Sequence, residues 1–153
     1  MPQSLQERLA PRNHCFGCGP ANDKGLRIRS FEQGDEVVCE WSAEPHHEAF
    51  PGTVNGGIVG ALFDCHSNWT AAWHLMQKNG SSELPSTVTA EFHVKLRRPT
   101  SSRRPLRIVA KVVESTSDRA TVEATMTSDG VVTATCRGVF VAIQEGHPAY
   151  HRW

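Results

Sequence analysis

Gly56 to Gln77 reads GGIVGALFDCHSNWTAAWHLMQ, with Asn55 before it and Lys78-Asn79-Gly80 after it. The stretch has no proline, and its apolar residues recur at helical spacing. Asn55 belongs to the class of residues that cap a helix by accepting free amides of the first turn. Gly80 supplies a breaker at the other end. The spacing therefore predicts one long helix from Gly56 to about Gln77.

Three faces separate at that spacing. Ile58, Leu62, Cys65, Trp69, Ala72, Trp73 and Met76 form an apolar stripe expected to pack on a sheet. Almost opposite lie Gly57, Gly60, Ala61, Asp64, Ser67, Asn68 and Ala71. A third stripe holds Val59, Phe63, His66, Thr70 and His74. Helical glycine costs about 1 kcal/mol relative to alanine, so Gly57 and Gly60 imply that a second helix or a ligand comes close. Asp64 on the same face needs a partner, water or a raised pKa. Periodicity alone leaves a structural acid, a catalytic acid and a helix contact within a dimer all open.

Outward from the helix the pattern turns to strands. Before it, Leu26–Phe31 alternates, Gln33-Gly34-Asp35 can turn the chain, and Val37–Trp41 completes a hairpin. Residues 43–54 read as a loop and residues 1–25 as an irregular lead-in. After the helix come Val88–Leu96, with Val88, Ala90, Phe92, Val94 and Leu96 on one face, then Leu106–Ser115, Ala120–Thr127 and Val131–Ile143. Ser128-Asp129-Gly130 is a tight hairpin signal. Residues 144–153 form a tail. Two strands, one helix and four strands predict an α+β domain over residues 1–153. Its antiparallel sheet of about six strands wraps the helix.

The 153 residues are 39% hydrophobic and 21% charged, enough for one ordinary core. With 16 basic and 16 acidic residues the chain carries no formal net charge, which disfavours nucleic acid and anionic lipid as partners. The N-terminus lacks an apolar signal region, and no apolar run approaches the roughly 20 residues of a membrane span. A cytoplasmic protein is expected. The five cysteines, at scattered spacing, make a poor disulfide framework.

Three segments carry a family resemblance. They are His14-Cys15-Phe16-Gly17-Cys18-Gly19-Pro20-Ala21-Asn22 with Gly25-Leu26, Phe50 through Asp64, and Val88 through Pro99. In this order they resemble the hotdog-fold thioesterases, specifically the phenylacetyl-CoA type of the 4-hydroxybenzoyl-CoA thioesterase-like group. The resemblance spans residues 14 to 143. It implies an acyl-CoA substrate, a homodimer or homotetramer with sites shared between subunits, and no cofactor. It assigns Asp64 as general base or nucleophile and Gly56, with Gly57 beside it, as the amide that polarises the thioester carbonyl. Thr89 takes the position of a hydroxyl that assists water. Asn68, one turn past Asp64, joins Gly57 as a substrate contact. The chemistry fits, because a helix N-terminus stabilises a developing oxyanion and a carboxylate in a semi-apolar cleft is a better base. One departure stands out: Asn55 occupies the place of the family histidine and carries no titrating proton. That leaves a non-catalytic acyl-CoA-binding protein as the alternative. Hotdog dehydratases need an Asp–His pair that Asn55 does not supply.

Two other constellations stand out. Lys95, Arg97, Arg98, Arg103, Arg104, Arg107 and Lys111 place seven of the 16 basic residues within one short span. Arginine grips phosphate bidentately, so Arg97, Arg98, Arg103 and Arg104 are candidates for the CoA phosphates, with a solvated turn as the plain alternative. His14-Cys15-x-x-Cys18 has metal-like spacing. Structural zinc takes four ligands, however, and there is no second Cys-x-x-Cys, so no metal is expected. A structural metal protein stays as a third reading.

Overall fold

The structure is a computed structural model that describes residues 2–151. The predicted helix is α2, Gly56–Lys78. Asn55 Oδ1 accepts the Gly57 and Ile58 amides at 2.8 and 3.2 Å, and Gly80 closes the other end at φ +61°. Around it lie α1 (Leu5–Leu9), β1 (Phe31–Gln33), β2 (Glu36–Trp41), β3 (Glu48–Phe50), β4 (Thr53–Val54), β5 (Thr87–Leu96), β6 (Leu106–Ser115), β7 (Arg119–Ser128) and β8 (Val131–Ala142). Six strands form one antiparallel sheet in the order β1-β2-β6-β7-β8-β5, with α2 packed against it. The sheet and helix have the α+β hotdog architecture. The β7–β8 turn holds Asp129 and Gly130 at φ 51° and 75°, the primed geometry that matches strand twist.

Four expectations are corrected. Residues 1–25 are not wholly irregular: Ser4 and Glu7 make a reciprocal capping box for α1, and Leu5 and Gln6 are fully buried. Leu26–Ser30 is not a strand. Arg27 has φ 58°, and the Leu26 and Ile28 amides bond to the Phe16 and Gly17 carbonyls of the lead-in instead of a ladder. The loop at residues 43–54 contains a 3-10 turn, Pro45–His47, and the small β3–β4 pair. The fourth correction concerns β5, whose register against β8 slips between Thr89 and Glu91. One extra residue flips the side-chain parity, so Val88 and Ala90 do not share a face with Phe92 and Leu96.

The helix faces also differ from expectation. Cys65 and Trp69, predicted to meet the sheet, meet the lead-in: Trp69 Nε1 donates to Cys18 Sγ at 3.3 Å, and Gly17 abuts Cys65. Trp73 lies under the Arg8 guanidinium. The third stripe faces the sheet, with His66 bonded to the Val37 carbonyl and His74 to Ser115. The lead-in covers the side of α2 that the sheet leaves open, and alternation along the helix carries no sign of which cover comes from where. The tail is described only to His151, whose amide donates to Ser86 Oγ at 3.0 Å. Residues 152 and 153 of the predicted tail lie outside the described residues. No helix among the described residues is long and apolar enough to cross a membrane.

Candidate active site

The small-residue face of α2 runs along β5, the last strand of the sheet. A Cβ on Gly56 would stand 3.3 Å from Leu96 Cδ1, and one on Gly60 would stand 3.9 Å from the Phe92 ring. Two helical turns in, Thr89 Oγ1 donates to Asp64 Oδ1 at 2.6 Å. One turn further, Asn68 Nδ2 reaches the Thr87 carbonyl at 3.5 Å. The β5 bulge makes this possible. It brings Thr87 and Thr89 on one side of the slip, and Phe92 and Leu96 on the other, against the same helix face.

Asp64 is half-buried, and burial is the main force pushing its carboxyl above the ordinary carboxylate range. The Thr89 hydroxyl opposes that shift by bonding to the charged form, and the charge of Cys15 adds to it. Beside this pair lie three buried side-chain atoms with no hydrogen-bond partner among the described residues: Ser67 Oγ, Asn68 Oδ1 and Thr87 Oγ1. Buried polar atoms are seldom left unpaired, so these three stand out beside the Asp64–Thr89 bond. Ser67 and Thr87 had no place among the sequence candidates. Ser67 lay on the Asp64 face, and Thr87 lies two residues before Thr89, so both were within reach of an argument from faces.

At the helix start, Asn55, Gly56 and Gly57 are all exposed. The Asn55 cap occupies the Gly57 amide, and among the described residues the Gly56 amide has no hydrogen-bond partner. Its N–H is the first-turn donor left for a ligand, at the positive end of the helix dipole.

The arginine segment is tied to the chain that enters α2. Ser102 N bonds to the Gly52 carbonyl, Val54 N to the Thr100 carbonyl, and Ser102 Oγ to the Glu48 carboxylate. The Arg103 guanidinium lies against Gly52, three residues before Asn55. The basic cluster is otherwise dispersed. Arg104 pairs with Asp129 at 3.6 Å, Arg107 with Glu40 at 3.4 Å and Lys111 with Asp35 at 2.9 Å. Arg97 and Arg98 are exposed and form no salt bridge among the described residues, while their amides bond to the Thr133 carbonyl.

The structure also brings Cys65 to Cys15 and Cys18, a third thiol that the spacing of the sequence motif did not foretell. His46 and His47 gather with Glu44.

A family model described as the thioesterase-like superfamily matches residues 54–149. A thioesterase superfamily protein from Shewanella loihica is 25% identical, with a TM-score of 0.65, over 82% of this chain and 98% of that one. Zebrafish thioesterase superfamily member 2 is 20% identical with a TM-score of 0.65, over 80% of this chain and 90% of that one. An uncharacterized protein from Pyrococcus horikoshii is 14% identical with a TM-score of 0.68, over 94% of this chain and 97% of that one. The last two share the fold alone. No curated protein matches the chain.

Proposed function

Since this chain belongs to the thioesterase-like superfamily, we propose that it hydrolyses an acyl-CoA thioester in a site shared by two copies of the chain. The carrying observation is the Asp64–Thr89 pair beneath β5, on the same helix as the free Gly56 amide. β5 ends the sheet with ten residues and exposes Phe92 and Leu96. An open edge of that length and polarity invites pairing with a second strand. Antiparallel pairing of β5 with its own copy about a two-fold axis lays the two α2 helices side by side. Asp64 of one copy then faces the Gly56 end of the other, with Gly57 and Asn68 lining the cleft.

In that arrangement Asp64 takes a proton from water while the water oxygen bonds to the thioester carbon. The carbonyl oxygen becomes an oxyanion, held by the Gly56 amide. Collapse breaks the C–S bond, the CoA sulfur leaves with the proton, and the free acid remains. Thr89 orients the Asp64 carboxylate. Asn55 fixes the amides around the oxyanion site. Arg103, with Arg97, Arg98 and Arg104 on neighbouring surface, supplies charge for the CoA phosphates.

The test is release of free thiol from a panel of acyl-CoAs. Asp64→Asn is expected to lower turnover by about 10²–10⁴, the usual worth of a positioned acid or base. Wild-type release by that variant would sink the assignment. A second reading, a binding protein without turnover, is favoured by the commitment of Asn55 Oδ1 to the helix cap. Saturable binding with no thiol released by the unaltered chain would establish it.

A further inference from the structure

Three cysteine sulfurs converge where the lead-in crosses α2. Cys15 and Cys18 come from one turn of the chain, and Cys65 arrives from the helix 50 residues after Cys15. Cys15 Sγ and Cys65 Sγ are 3.8 Å apart, and all three sulfurs lie within 4.8 Å of one another. Four sulfurs at about 2.3 Å from a tetrahedral zinc ion stand about 3.8 Å apart, so the closest pair already has the edge length of such a site.

The backbone is shaped for this meeting. A Cβ on Gly17 would come within 2.3 Å of Cys65 Sγ, so only glycine lets the turn approach the helix thiol. Gly19 closes the turn by donating to the Cys15 carbonyl at 2.9 Å, and a Cβ there would strike Asn13 O and Cys15 N at 2.4 Å. Asn13 Oδ1 fixes the Cys15 amide at 2.7 Å.

A donor beside the sulfurs points the same way. The Trp69 indole N–H donates to Cys18 Sγ at 3.3 Å. A neutral thiol is a weak acceptor, so an N–H aimed at this sulfur suits a thiolate.

We propose that Cys15, Cys18 and Cys65 bind a thiophilic d10 cation, Zn²⁺ or Cu⁺, as three thiolate ligands. Soft sulfur donors select these ions over hard divalent cations. Binding displaces the thiol protons to solvent as the thiolates form. No fourth His, Cys, Asp or Glu joins the cluster among the described residues, so Zn²⁺ completes its tetrahedron with an exogenous ligand, whereas Cu⁺ is satisfied by three sulfurs. The ion would clamp the lead-in to α2 one residue past Asp64. Nothing in this site depends on the chain being a hydrolase, and its test reads metal, not turnover.

The full-length chain, purified under reducing conditions, is titrated separately with Zn²⁺, with Co²⁺ as its spectroscopic stand-in, and with Cu⁺. Uptake of one ion per chain is expected, with sulfur-to-cobalt charge-transfer absorption in the Co²⁺ arm. Cys18→Ser and Cys65→Ser should each weaken uptake on the order of 100-fold or more, and Cys136→Ser should not. In the unaltered chain, metal should shield Cys15 and Cys65 from alkylation, and a chelator should restore their labelling and lower Tm. This reading survives even if a serine variant fails to fold. Absence of uptake of both Zn²⁺ and Cu⁺, undiminished binding by folded Cys65→Ser, or labelling that ignores metal would each overturn the site.

Discussion

Asp64 and His66 sit two residues apart on α2 and are treated oppositely by the fold. Burial raises Asp64, and Thr89 holds it back. In the proposed reaction the charged form is the base, so turnover is expected to rise with pH through the Asp64 value. Thr89→Val removes the restraining bond, and the rising limb of the kcat/KM profile is expected to move to higher pH. A limb that stays in place or moves down would separate Thr89 from the base. His66 is wholly buried, with Nε2 on the Val37 carbonyl at 2.9 Å and Nδ1 on the Ser30 hydroxyl at 2.8 Å, a network complete with a neutral ring. Burial pushes it down from 6.5 to about 4. The unfolded chain therefore binds the proton first, and stability falls as pH drops from about 6.5 towards 4, by about 3 kcal/mol at most. Thermal unfolding across that window should show the slope in the unaltered chain and a shallower one in His66→Gln.

At the scale of elements, α2 and the four strands after it were legible because hydrophobic period and turn residues agree there. Asn55 and Gly80 bracket the helix, and Asp129-Gly130 dictates the β7–β8 turn. Other features were not legible. The β5 bulge leaves no trace in an alternating sequence, yet it decides that Thr89, and not Val88 or Ala90, meets Asp64. The burial of α2 on its Cys65–Trp69 side depends on a lead-in whose contacts with the helix join residues far apart in sequence, Cys15 to Cys65 and Cys18 to Trp69. Candidate site residues came from faces and family resemblance. Ser67 and Thr87 were within reach of the same argument, and the third thiol needed coordinates. The helix start offers a check that separates its two duties. Asn55→Asp keeps the cap and adds a favourable charge at the dipole, worth about 0.3–1 kcal/mol. The same charge opposes an oxyanion at Gly56. Tm is expected to hold or rise while kcat falls on the order of tenfold or more. A parallel loss of both would make Asn55 a cap and nothing else.

At the scale of the molecule, the two groups of the proposed chemistry lie at different ends of the same helix face. Asp64 lies beside Thr89, and the free Gly56 amide lies two turns back beside Leu96. The proposed site is completed by a second copy docked along β5. Mixing two inactive variants tests it most directly. Asp64→Asn removes the base. Gly56→Pro removes the amide hydrogen at a first helical position where proline is well tolerated. After the two proteins are exchanged in equal amounts, random pairing makes half the dimers mixed, each with one intact site, so about a quarter of the unaltered thioesterase rate should return. Recovery to that level is the expected result. Mixed dimers that form, as seen by native mass, yet hydrolyse no acyl-CoA would contradict a site built from Asp64 of one copy and Gly56 of the other.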